Sequence, residues 1–139
     1  MVSQVVQFDP GQRLIDGNDL NKNFGLYFGA SSGLTAKAGG GQSLATPLLG
    51  ATNEVAVCAT GSDSVVLPPA TTPGQAVAVI NNGAQTLAIF ASAGTDRIVP
   101  TATIAANALA NGTAATLASG VMCEFFCYKP GFWKQETSV

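Results

Sequence analysis

The side chains whose types could do chemistry here are three thiols and eight carboxylates, and the chain has no histidine. Without imidazole it lacks the usual general base near neutral pH and the commonest metal ligand. Cys123 and Cys127 stand four apart in an alternating stretch. In a strand that spacing is about 13 Å at ~3.3 Å per residue, too long for a disulfide. A zinc site wants close cysteine pairs with further ligands, and Cys58 is distant in sequence, so no metal is assigned. A nucleophilic cysteine needs a basic neighbour to lower its pKa, and only lysine or arginine is available. The three thiols read as small apolar core residues of a protein made in a reducing cytoplasm.

Among the carboxylates, Asp16 and Asp19 bracket Gly17-Asn18 in IDGND. The run lacks the repeated Asp-x-Asp spacing and the distal Glu of a calcium loop, and reads as a solvated turn. Gly39-Gly40-Gly41-Gln42-Ser43 lacks the Lys-Ser/Thr ending and following helix of a phosphate cradle. Tyr128, Phe132 and Trp133 form an aromatic cluster near the C-terminus. They read as a plug on the open end of a core, with a sugar-stacking platform as the alternative. No catalytic residues and no cofactor are assigned.

The charge balance narrows the partners. Six Lys and Arg stand against eight Asp and Glu, and the cations are scattered. Nucleic-acid binding needs clustered cations and is excluded as an expectation. No stretch approaches the ~20 apolar residues of a membrane span, and MVSQVVQFDP lacks the basic start and apolar run of a signal peptide. Charged residues make up 10% of the chain, well short of a free monomer's usual surface, which points to a surface covered in an assembly. A compact sandwich dressed in Thr, Asn, Gln and Ser is the alternative.

The elements that must position these groups are short strands. Val65–Phe90 organises the chain: Pro68-Pro69 ends one strand, Pro73-Gly74 turns into Ala76–Ile80, and Asn82-Gly83 turns into Thr86–Phe90. Asn-Gly favours the type I′ turn of a hairpin, which needs positive φ at both positions. Further strands are expected at Glu54–Thr60, Asp63–Leu67, Asp96–Val99, Thr113–Ala118, Val121–Tyr128 and Phe132–Gln135, with Thr103–Leu109 left as helical turn, strand or loop. Val121, Cys123, Phe125 and Cys127 share an apolar face, and the opposite face is apolar except for Glu124, as in a strand covered on both sides. Turns every ~8–12 residues predict an all-β fold, an antiparallel β-sandwich or jelly-roll-like domain over residues 46–139. The Gly- and Ser-rich stretch Gly29–Ser43 reads as a connector that ends an extended N-terminal arm, so that residues 1–45 precede the domain. In the arm, Asn18–Phe28 leans to an extended form that puts Phe24, Leu26 and Phe28 on one face.

A resemblance adds context. The lead-in Gly39–Leu44 with Ala45-Thr46-Pro47-Leu48, the strand Asp63–Pro68, the segment Gly74–Asn82, the strand Ala84–Phe90, the turn Ala93–Asp96 with Ile98, and the closing Leu117–Gly120, Phe125 and Gly131–Trp133 together resemble a β-rich module of tailed-bacteriophage structural proteins. It is similar to capsid decoration (cement) proteins and to small fibre modules, over about Ala36–Gln135. The resemblance implies a virion structural protein on the capsid surface, often trimeric, with the major capsid protein and its own copies as partners. Phe8, Phe24, Tyr27 and Phe28 are the candidate partner-binding residues, since aromatic side chains dominate such contacts. Their alternative is packing on the chain's own domain. A tail-fibre or receptor-binding module that reads a host glycan or protein is the second implied function.

Overall fold

The computed structural model describes residues 29–137. Ten strands run as β1 (Ala30–Thr35), β2 (Thr46–Pro47), β3 (Thr52–Val57), β4 (Ser64–Val66), β5 (Ala76–Asn81), β6 (Leu87–Phe90), β7 (Arg97–Val99), β8 (Ala115–Leu117), β9 (Met122–Lys129) and β10 (Phe132–Thr137). A one-turn helix α1 (Gly41–Leu44) lies between β1 and β2, and Ala105–Asn107 makes the 3₁₀ turn of the stretch whose form the sequence left open.

The strands form a six-stranded sheet ordered β1-β3-β5-β9-β10-β7 and a four-stranded sheet ordered β2-β4-β6-β8. From β1 to β8 every strand lies in the sheet opposite its predecessor. Returning strands therefore lie parallel: β1 to β3, β3 to β5, β2 to β4 and β4 to β6. The chain winds between two sheets like a coil and then closes with antiparallel strands, β8 on β6, β9 on β5 and β10 on β9. The fold is β-rich with mixed sheets. The wholly antiparallel arrangement expected from the turn spacing does not form, because the turns carry the chain across to the other sheet.

Asn82-Gly83 shows why. Neither residue has the positive φ that a type I′ hairpin requires. β5 and β6 do not pair; the expected hairpin is a crossing between sheets. Asn81, just before this turn, is fully buried. Its Nδ2 donates to the carbonyls of Gln85 (2.8 Å) and Leu117 (2.9 Å), and its Oδ1 accepts from the Gly83 amide (3.0 Å). These bonds satisfy backbone groups that the crossing removes from any ladder. Asn53 does the same at the β2–β3 crossing, with Oδ1 accepting from the Gly50 amide and Nδ2 donating to the Gly50 carbonyl.

The inward side chains of both sheets meet in one core. Val55, Val77, Val79, Cys123, Phe125, Cys127, Ile98 and Trp133 come from the larger sheet, and Val65, Leu87, Ile89, Ala115 and Leu117 from the smaller. β5 and β9 alternate between buried and more exposed positions, the period-2 pattern of a sheet with one face on the core. Within residues 30–45, expected as arm and connector, Ala30–Thr35 is a strand of the larger sheet. β1 pairs with β3, Ala36 is in the core, and Lys37 exchanges backbone bonds with Ser64. Glycine permits this path: Gly33, Gly39 and Gly41 all have positive φ.

Candidate interaction surfaces

The outer face of the six-stranded sheet is built by register. Phe126 stands between Ala76 of β5 and Lys134 of β10. The next row is Thr52, Ala78, Glu124 and Glu136, and the row beyond it Glu54, Ile80 and Met122. The sequence led us to expect β9 to be covered on both sides; instead its outward Met122, Phe126 and Tyr128 are 37%, 39% and 44% exposed. The strict alternation of VMCEFFCY was the signal, and its apolar outer half is surface.

Charges interrupt the apolar face, since the Glu124–Glu136 row lies between the Phe126 row and the Ile80–Met122 row. Glu124 and Glu136 face each other across the β9–β10 pair, beside a shallow depression lined by Met122, Cys123, Glu124, Glu136 and Thr137. Lys134 offsets this locally: its Nζ lies 3.7 Å from Glu136 Oε1 and donates to the carbonyls of Pro100 (2.8 Å) and Thr103 (3.2 Å). Glu54 binds neighbouring surface groups instead. The Asn82 side-chain amide and the Gly33 backbone amide donate to its two oxygens, and these bonds hold its carboxyl below the usual range, the Asn82 bond foremost.

The aromatic trio divides. Trp133 is fully buried and donates from Nε1 to the Pro68 carbonyl (3.3 Å), which is the expected plug. Tyr128 and Phe132 stay near the surface, with ring centroids 6.1 Å apart and tilted by 54°. Lys129 Nζ lies 4.0 Å over the Phe132 ring centroid, so the cation occupies one aromatic face.

The cysteines are free and buried. Burial pushes the Cys123 thiol up to about 12 and raises those of Cys58 and Cys127. These are core groups, as expected. Among the described residues no group of His, Cys, Asp and Glu has metal-binding geometry.

Phe8, Phe24, Tyr27 and Phe28 lie outside the described residues, as do Asp16 and Asp19. The structure does show where their segment joins. The Gly29 carbonyl accepts from the Ala51 amide (2.9 Å), fixing the chain beside β1, the edge of the larger sheet. No protein-family model matches the chain, and neither a curated protein nor a solved structure does so.

Proposed function

We propose that this chain is a virion structural protein of the capsid-decoration type, with no catalytic role. It binds the outer surface of a shell made of major capsid protein and stabilises that shell, acting as a homotrimer. The observation that supports this best is the outer face of the larger sheet, where exposed Phe126 stands with half-buried Ala76, Ala78 and Ile80 around Glu124. Burying a few hundred Å² of such surface at ~25 cal/mol per Å² supplies several kcal/mol per subunit, enough to reinforce a shell through many copies. Phe8, Phe24, Tyr27 and Phe28 add aromatic contacts from the segment that precedes Gly29. The resemblance to phage modules supports the same reading, as does the low charge content. In this reading the two layers act as a sandwich-like platform.

The test is co-sedimentation of the purified chain with capsids assembled from the major capsid protein encoded alongside it. Saturable binding, with a rise in capsid melting temperature, supports decoration. Absence of binding at micromolar concentrations overturns it. The second reading, a receptor-binding tip, draws on exposed Tyr128 beside half-buried Phe132. A glycan array would favour it by returning a ligand whose binding is lost in Tyr128→Ala.

A further inference from the structure

The chain holds two Asn-Gly pairs, Asn82-Gly83 and Asn111-Gly112, and both lie within the described residues. An asparagine before glycine carries a latent reaction with water, because glycine has no side chain to hinder its amide nitrogen. That nitrogen attacks the asparagine Cγ. The N–Cγ bond forms, the Cγ–Nδ2 bond breaks, and the glycine amide proton leaves with Nδ2 as ammonia. Water then opens the cyclic imide at either carbonyl, giving aspartate or isoaspartate. One water is consumed and one ammonia released, with no change of oxidation state. The reaction needs a glycine nitrogen that is not hydrogen-bonded and a backbone with room to turn.

The fold treats the two pairs differently. At the first, the Gly83 amide donates to Asn81 Oδ1 (3.0 Å). Gly83 is buried, and a Cβ on it would lie 2.4 Å from the Cys58 backbone nitrogen. The Asn82 amide donates to the Val55 carbonyl (2.9 Å) and its side chain to Glu54. Turning this peptide therefore means opening the crossing between β5 and β6, which lies against the core and opens only at a high free energy.

The second pair sits in the turn Ala110–Thr113, closed by one bond from the Thr113 amide to the Ala110 carbonyl (2.9 Å). Gly112 is exposed, and a Cβ on it would meet nothing nearer than the Gln42 side chain at 3.7 Å. Among the described residues its amide has no hydrogen-bond acceptor. Asn111 Nδ2 donates to the carbonyls of Ser92 (2.9 Å) and Asp96 (2.7 Å). Those bonds hold the group that leaves and not the nitrogen that attacks, and they fall on a loop whose Ala93, Gly94 and Thr95 are exposed. Such a turn opens at a low free energy.

We propose that Asn111 is the site at which the native protein deamidates, and that the fold spares Asn82 although its side chain is the more exposed of the two. The product carboxylate has no hydrogen to give the Ser92 and Asp96 carbonyls, so both bonds are lost with the reaction. The inference is independent of the decoration reading, since it concerns the isolated chain and water.

The test incubates the full-length protein at pH 8 and follows both sites by peptide mass spectrometry, which reads each conversion as a gain of about one mass unit. In the native protein Asn111 should convert at least tenfold faster than Asn82. In 6 M guanidinium the two rates should come within about threefold of each other, because both are then open Asn-Gly pairs. Conversion of Asn82 at the rate of Asn111 or faster in the native protein overturns the proposal. So does a rate ratio that denaturant leaves unchanged, which would place the preference in the local sequence. Native protein that converts at neither site, while the denatured chain converts at both, overturns it as well.

Discussion

A Cβ built on Gly83 would lie 2.4 Å from the backbone nitrogen of Cys58. The two residues belong to successive windings, and their close approach is what lets one crossing stack on the next. Glycine is required at 83 for space and not for a left-handed turn. Gly83→Ala is expected to destabilise the protein by about 1–3 kcal/mol, because backbone must move to relieve the overlap. Urea unfolding of the variant checks this. Gly74→Ala, at a positive φ with open space around it, is expected to cost about 1 kcal/mol from backbone strain alone.

Neighbouring asparagines separate burial from exposure. Asn81→Ala leaves the carbonyls of Gln85 and Leu117 and the Gly83 amide without their partner. Its expected cost is about 2–4 kcal/mol. Asn82→Ala removes one exposed bond to Glu54 and is expected to stay within about 0.5 kcal/mol of wild type. Equal effects in thermal unfolding would refute the assignment of the crossing to Asn81.

Acid sensitivity is expected to centre on Asp63. Its carboxylate accepts from the Thr60 hydroxyl and amide and from the Ala59 amide, and these bonds, the Thr60 hydroxyl first, hold it below its ordinary 3.8. A depressed folded-state pKa adds stability that is fully present above the unfolded value and is lost as pH falls through the folded one. Unfolding free energy should be flat from pH 7 to about 5 and drop below about 4. Asp63→Asn should be less stable at pH 7 and show a shallower loss on acidification, measured by denaturant titration at each pH.

Thiol reactivity reports the core directly. Burial keeps all three thiols from reagent and raises each above its ordinary value, Cys123 to about 12, which disfavours the reactive thiolate. Ellman's reagent should label none of the three on a minutes timescale in the native protein and all three in 6 M guanidinium. Rapid labelling of one thiol in the native state would show that the sheets open locally there.

The outer face carries the functional prediction. Phe126→Ser should leave the fold intact at a cost of about 1–2 kcal/mol, since the ring is 39% exposed and loses its remaining contacts. It should weaken capsid binding at least tenfold in co-sedimentation. Unchanged binding would move the contact away from this sheet.

The elements were legible because local chemistry places them. Alternation marked β5 and β9, Pro68-Pro69 marked the end after β4, and the inward set Cys123, Phe125 and Cys127 could be read directly from its period of two. The Gly-rich stretch was read as a connector because its composition holds no apolar periodicity. It pairs with β3 because backbone, and not side chains, supplies an edge strand's bonds. The outer-face residues were visible as apolar, but whether a face is covered is a property of the neighbours and not of the strand.

The sequence by itself determined that the chain is β-rich, where most of its strands lie, and which residues of those strands face inward, since side-chain alternation is intrinsic to an extended backbone. Only the tertiary structure decided which strands meet. Asn82-Gly83 is a hairpin signal in isolation. Here the burial of Asn81 and the contact of Gly83 with Cys58 turn it into a crossing, and with it an antiparallel meander becomes a parallel coil. Pairing is settled by long-range packing between segments about 20–25 residues apart, whose balance no local turn preference can set.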